Sequence, residues 1–260
     1  VYDANASATI LTRTLTGVLG TDAVSYSGGS ASFNDKNVAA GKTVTGTGLA
    51  LAGADAANYT VNGTAPTTAD ITAKAITGSI TAANKVYDAN DVATITARSL
   101  TGVLGADVVN YSGGAASFSN KNVGTTKTVT GTGLVLAGTD AGNYTVNSSA
   151  TTTADITART ITGNITAANK VYDANPSATI LSRTLTGVLG ADVVSYSGGA
   201  ASFSDKNVAA GKTVTGTGLV LAGADAGNYT VNSSATTTAD ITAPALTGST
   251  HAARQARDAN

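Results

Sequence analysis

Lysine, aspartate and a lone histidine are the groups through which this sequence could do chemistry, and their spacing removes most of the possibilities. Gly41-Lys42-Thr43 resembles the end of a phosphate-binding loop, a motif that needs another glycine five residues ahead of Gly41. Lys36 stands there, and Thr126 replaces Gly41 in the second copy. The lysine opens a strand instead. His251 is the only histidine, which excludes a Ser–His–Asp triad in every copy and a histidine-ligated metal. Asp88 with Asp91, or Asp140 with nearby carbonyls, are the candidate calcium ligands. Calcium takes roughly six to eight oxygens, several of them carboxylates, whereas each copy spreads five aspartates along its length. Capping loops account for those aspartates, and no metal or cofactor is expected. Lys121 and Asn122 are adjacent and face opposite sides of a strand, so they cannot join each other in an isopeptide.

The bulk composition points the same way. Formal charge is −1, all 16 acidic residues are Asp, and Cys, Met and Trp are absent. A near-neutral chain draws neither nucleic acid nor an anionic membrane by bulk electrostatics. Without cysteine there is no disulfide framework and no thiolate site. No apolar run approaches the roughly 20 residues of a membrane span, so membrane insertion is not expected. Thr, Val and Tyr favour strands, and a chain without Glu has little from which to build an amphipathic helix. With neither a signal peptide nor an initiator methionine, the sequence reads as an excerpt of a longer chain.

The elements that must position these residues repeat. Val1-Tyr2-Asp3-Ala4-Asn5 returns at Val86–Asn90 and Val171–Asn175, a step of 85 residues that Tyr26, Tyr111, Tyr196 and Phe33, Phe118, Phe203 also keep. Lys74, Arg159 and Pro244 share one position. Proline there resists a central strand, which marks a joint. The units are therefore 1–74, with its opening strand missing, then 75–159 and 160–244. Residues 245–260 are the opening strand of a further repeat, eroded at Thr250 and Arg257.

Within the middle copy, Ala93, Ile95 and Ala97 alternate with polar residues as one half-buried strand. Val109 and Tyr111 run up to Gly113-Gly114, a hairpin signal, and Ala116 and Phe118 follow. Val129 lies on one parity and Leu134, Leu136 on the other, so a bulge near Gly131 or Gly133 is needed to keep all three inward. About seven short strands per copy predict tandem immunoglobulin-like antiparallel β-sandwiches, an all-β fold. The core is expected to include Leu100, Val146 and Ile156. In Asp140-Ala-Gly-Asn-Tyr144-Thr-Val146 the spacing is that of a tyrosine corner. Asp55 with Tyr59, Asp140 with Tyr144, and Asp225 with Tyr229 are its residues.

Lys85-Val-Tyr-Asp-Ala-Asn90, Leu100-Thr-Gly-Val103, Phe118-Ser-Asn-Lys-Asn-Val123, the glycine–threonine–glycine before Leu134, Asp140–Val146 and Ala154-Asp-Ile-Thr-Ala158 together resemble the YDG-type repeat of very large bacterial exoproteins similar to filamentous haemagglutinin. This chain has Tyr-Asp-Ala where the motif has Tyr-Asp-Gly, so a different turn is expected after the tyrosine. The resemblance implies a secreted, outer-membrane-associated adhesin repeat and brings no catalytic residue. The function expected is a non-catalytic stalk or spacer, its partners being the neighbouring repeats. Host receptors would be met through other parts of the parent protein. The alternatives are a fibre subunit joined head to tail by strand exchange, with the tail completing the first unit, and a carbohydrate-binding module with exposed aromatics.

Overall fold

The computed structural model describes residues 1–252. They form an all-β chain of three tandem repeats, with single turns of 3-10 helix at Ala56–Asn58, Ala141–Asn143 and Ala226–Asn228. Two compact units result. One holds Val1–Ala83, Asp91–Asn120 and Thr126–Ala154, and the other holds Asn84–Asn90, Lys121–Thr125 and the chain from Asp155 onward.

In the first unit the first repeat is a four-stranded sheet in the order Ser7–Ala8, Ser25–Phe33, Ala39–Ala52, Thr64–Ile71. The second repeat, most of which lies in that unit, has the corresponding run Val92–Ala93, Asn110–Phe118, Gly124–Ala137, Ser149–Thr157 and adds a second layer. That layer is the opening strand Thr77–Ala82, antiparallel to Ile95–Thr101. Ile80 projects from it onto Tyr111, Leu134 and Ala150. The second unit repeats the plan: Thr162–Ala167 pairs with Ile180–Thr186, and Ile165 packs on Tyr196 and Leu219. A second cluster of that repeat holds Phe203, Val214, Ala239 and Ile241. Two pairings of the third repeat are parallel, Arg159–Thr160 with Tyr229–Thr230 and Lys170–Val171 with Ile241–Thr242.

Expectation needs correction in three places. Gly113-Gly114 makes no hairpin. Asn110–Phe118 is one strand held in a single unbroken register, with Gly113 opposite Leu134 and Ala115 opposite Thr132. Gly114 and Gly133, at φ 83° and 71°, are the residues skipped on the two sides, a left-handed conformation that costs glycine little. The expected bulge is therefore absent, because one residue is passed over on each strand and the register is kept; Val129 and Leu134 are nonetheless both buried. Secondly, Ala93 and Ile95 do not share a strand. Val92–Ala93 joins the large sheet and Ile95–Thr101 the opening strand, so the chain changes layers at Thr94. Thirdly, residues 245–252 form no strand, and Leu246 is 91% exposed. Arg257 lies outside the described residues.

Of the expected core, Tyr111, Phe118, Val129, Leu134, Tyr144 and Ile156 are buried, while Ile95, Leu100, Val109, Leu136 and Val146 are half-buried. In the first repeat Ile10–Thr16, equivalent to Ile95–Thr101, is not in a strand. The partner of that segment elsewhere is the opening strand alone.

Candidate functional site

The charged groups converge where one repeat meets the next. Tyr144 follows a 3-10 turn whose Tyr144 N–H donates to Ala141 O. The turn swings its ring back over the loop of residues 104–107. There the Leu104 N–H donates to the Tyr144 hydroxyl at 3.0 Å, and the hydroxyl donates to Asp107 Oδ2 at 2.6 Å. The predicted partner Asp140 serves the same loop by a different bond: its Oδ2 accepts the Val108 N–H at 2.9 Å. Asp55 with Tyr59 and Asp225 with Tyr229 reproduce both bonds in their own repeats. The corner thus closes on a backbone N–H and a carboxylate.

The first repeat supplies the other half of the site. Tyr2 donates its hydroxyl to the same Asp107 Oδ2 at 2.6 Å and meets Tyr144 edge-on, ring centroids 5.3 Å apart. Lys36 Nζ lies 2.6 Å from Asp107 Oδ1 and 3.6 Å from Asp140 Oδ1. The Val38 N–H donates to Asn143 Oδ1 at 2.9 Å, and Asn143 Nδ2 donates to Asn37 Oδ1. Tyr2, Ile71, Ile76 and Tyr144 form the apolar floor. A carboxylate whose side chain is only 4% exposed is thereby given two hydroxyl donors and a cation, which is what a buried charge requires.

Eighty-five residues on, within the second unit, the arrangement recurs. Tyr87 and Tyr229 both donate to Asp192 Oδ2 at 2.7 Å. Lys121 Nζ lies 2.8 Å from Asp192 and 3.7 Å from Asp225. The Val123 N–H donates to Asn228, which donates in turn to Asn122. Tyr87 is fully buried.

These contacts set the protonation states. The Lys36 ammonium and the two tyrosine hydroxyls hold the Asp107 carboxyl down at about 2. Burial, and then the Asp107 carboxylate, push Tyr144 up to about 12. Asp107 likewise raises Lys36 above the ordinary lysine range. The amine is therefore protonated and the carboxyl ionised at neutral pH. Lys36 and Asp107 therefore form an ion pair. Asp88 is occupied too, bonded to Lys85 at 2.8 Å. Among the described residues no group of three or more His, Cys, Asp or Glu is placed to hold a metal.

At the predicted joint positions, Lys74–Ala75 pairs in parallel with Tyr144–Thr145, and Arg159–Thr160 with Tyr229–Thr230. Pro244 is in no strand. Sequence reasoning named the corner tyrosines but not Tyr2, Tyr87, Lys36, Lys121, Asp107, Asp192, Asn143 and Asn228. A lysine and an aspartate do recur at constant phase in every copy of a chain only 12% charged, but that trace is the same whether they pair inside a copy or between copies. The turn after Tyr2 also departs from expectation. Ala4, Ala89 and Ala174 sit at φ 69°, 66° and 67°, the left-handed region, so alanine adopts the turn that glycine would favour.

A family model described as the YDG domain matches residues 1–69, 72–154 and 157–239. No curated protein and no solved structure matches the chain.

Proposed function

Because the chain belongs to the YDG domain family, we propose that it is a non-catalytic spacer whose successive repeats are bolted together through a buried aspartate. The observation that carries this reading is the recurrence of the bolt. The tyrosine–aspartate distances are 2.6 Å at the first joint and 2.7 Å at the second, with the same lysine and asparagine contacts around them. Ordinary linkers between domains are polar and few contacts cross them. A joint that orders two tyrosines, a lysine and an asparagine is built to fix an orientation, and repetition of a fixed joint converts copy number into reach.

We place the parent protein at the bacterial cell surface or outside the cell, as an adhesin, on the strength of the sequence resemblance. The carbohydrate-binding alternative calls for an exposed aromatic platform, and in the second repeat Tyr87, Tyr111, Phe118 and Tyr144 are all buried. The spacer reading is tested by electron–electron resonance distances between spin labels at Ser27 and Ser117, one in each of the first two repeats. A narrow distribution that broadens in Asp107→Ala is expected. A broad distribution in the unaltered chain would sink the reading. Surface exposure of the parent is checked separately, by protease shaving of intact cells that make it.

A further inference from the structure

Each joint gathers two phenols on a single carboxylate oxygen. At the first, Tyr2 and Tyr144 both donate to Asp107 Oδ2 at 2.6 Å, with ring centroids 5.3 Å apart and ring planes at 77°. At the second, Tyr87 and Tyr229 both donate to Asp192 Oδ2 at 2.7 Å, with centroids 5.4 Å apart and planes at 76°. The ortho carbons of a phenol flank the carbon that bears the hydroxyl. Hydroxyls that converge on one atom therefore carry the ortho positions of the two rings together.

Packing alone accounts for an edge-on aromatic pair, but not for the shared acceptor. A phenol gives up an electron far more readily when a base within hydrogen-bond reach takes its proton at the same time. Without that base a strongly acidic radical cation must form. Asp107, ionised at neutral pH, is such a base for both rings, and Lys36 beside it is 36% exposed, which brings the site to the edge of solvent. Tyr111 and Tyr196 lack the combination. They donate to the neutral carbonyls of Asn147 and Asn232 at 2.7 Å, and neither has a second tyrosine ring against it among the described residues.

We propose that the two joints are oxidative cross-linking sites, at which Tyr2 couples to Tyr144 and Tyr87 to Tyr229 as dityrosine when the chain meets a small one-electron oxidant. Each link consumes two equivalents of oxidant. Each equivalent removes one electron from one phenol, whose proton passes to the aspartate and on to water. The two phenoxyl radicals join through one ortho carbon each, and both rings regain aromaticity as the ortho hydrogens move to oxygen. The product keeps both hydroxyls and is two hydrogen atoms lighter. Radicals held side by side need no diffusive encounter, which favours this coupling over links between chains. A finished link fastens one repeat to the next by a carbon–carbon bond, independent of the charge on the aspartate. The inference rests on the geometry of the joint and goes beyond the spacer reading, since a chain that resists oxidation is still a spacer.

The test is brief illumination of the full chain with tris(bipyridine)ruthenium(II) and persulfate, a source of one-electron oxidant, followed by dityrosine fluorescence, intact mass and peptide mapping. Loss of two or four hydrogens from the monomeric chain is expected, with Tyr2–Tyr144 and Tyr87–Tyr229 as the dominant linked peptides. Unfolding in urea before illumination should lower the yield of both links at least about tenfold. Tyr2→Phe should remove the first link and leave the second, and Tyr87→Phe the reverse, so that each joint is the reference for the other. Links that run mainly through Tyr26, Tyr111 or Tyr196, or mainly between chains, overturn the proposal. So does undiminished coupling in urea, or oxidation of other residues with neither link formed.

Discussion

Tyr59 and Tyr144 occupy equivalent positions in the first and second repeats, and each accepts a leucine N–H at 3.0 Å and donates to an aspartate at 2.6 Å. Their surroundings differ. Asn58 is exposed where Asn143 is buried, and Tyr59 is half-buried where Tyr144 is buried. The opening strand covers Tyr111 but not Tyr26. The corner is therefore intrinsic to the repeat, written into Asp-x-x-x-Tyr and the loop before it. Its burial comes from the neighbour and from the opening strand. Stability in such an array is a sum of repeat and interface terms, and here the two terms fall on separate, nameable residues.

The comparison breaks most visibly at the core leucines. Leu134, 1% exposed beneath Ile80, should cost about 3–4 kcal/mol when changed to alanine. Leu49, at the bottom of a hollow lined by Ile10, Tyr26 and Ala65 and 7% exposed, should cost clearly less, because no strand packs on it. Native-state hydrogen exchange resolved by repeat measures both, and equal losses would mean the hollow is not what separates the two repeats.

Asp107→Ala removes the acceptor of Tyr2, Tyr144 and Lys36 together and should cost about 3 kcal/mol in the same measurement. Asp22→Ala, which loses a single exposed bond to Tyr59, should cost no more than about 1 kcal/mol.

A milder way to open the joint is acid. The Asp107 carboxyl titrates at about 2 in the folded chain against 3.8 ordinarily, so its contribution is complete above the ordinary value. That contribution is lost as pH falls from about 4 towards 2. Tyr144, raised from 10.0 to about 12, acts in the opposite sense: its contribution is complete below 10 and fades as pH rises through 12. A plateau in melting temperature between these limits is expected, with a shallower acid limb in Asp107→Asn. An acid limb unchanged by that substitution would place the titration elsewhere.

The smallest effect sharpens the comparison by ignoring it. Ala4, Ala89 and Ala174 share a left-handed turn whatever their neighbours, so glycine at each should add about 1 kcal/mol of stability. Unequal gains in calorimetry would show that the turn feels the joint after all.

Much of the plan was legible in the residues, and the failures have physical causes. Period and parity located most of the strands and showed that Val129 and Leu134 could not both face inward along a regular strand. Parity cannot tell left-handed glycines inside a strand from a turn, and so Gly113-Gly114 resembled a hairpin. It is also blind to which sheet a strand joins, and so the change of layer at Thr94 was invisible. The joint was hidden for a different reason. Tyr2 and Asp107 lie 105 residues apart, and a pairing between copies leaves the same trace in the sequence as a constraint inside each copy.

The two parallel pairings of the third repeat have a mechanical meaning. The chain enters this repeat beside Tyr229–Thr230 and leaves it after Thr242. Between these points Lys170–Val171 lies along Ile241–Thr242, extended by the Tyr172 N–H to Thr242 O bond at 2.9 Å. Tension on the two ends drags these neighbours in opposite directions along their own length. The slanted bonds of a parallel pair then bear load together, where a hairpin pulled from its open end would yield one bond at a time. Stretched singly, this repeat should hold and then give way in one abrupt event. Gradual lengthening at low force would show that the load bypasses the pair.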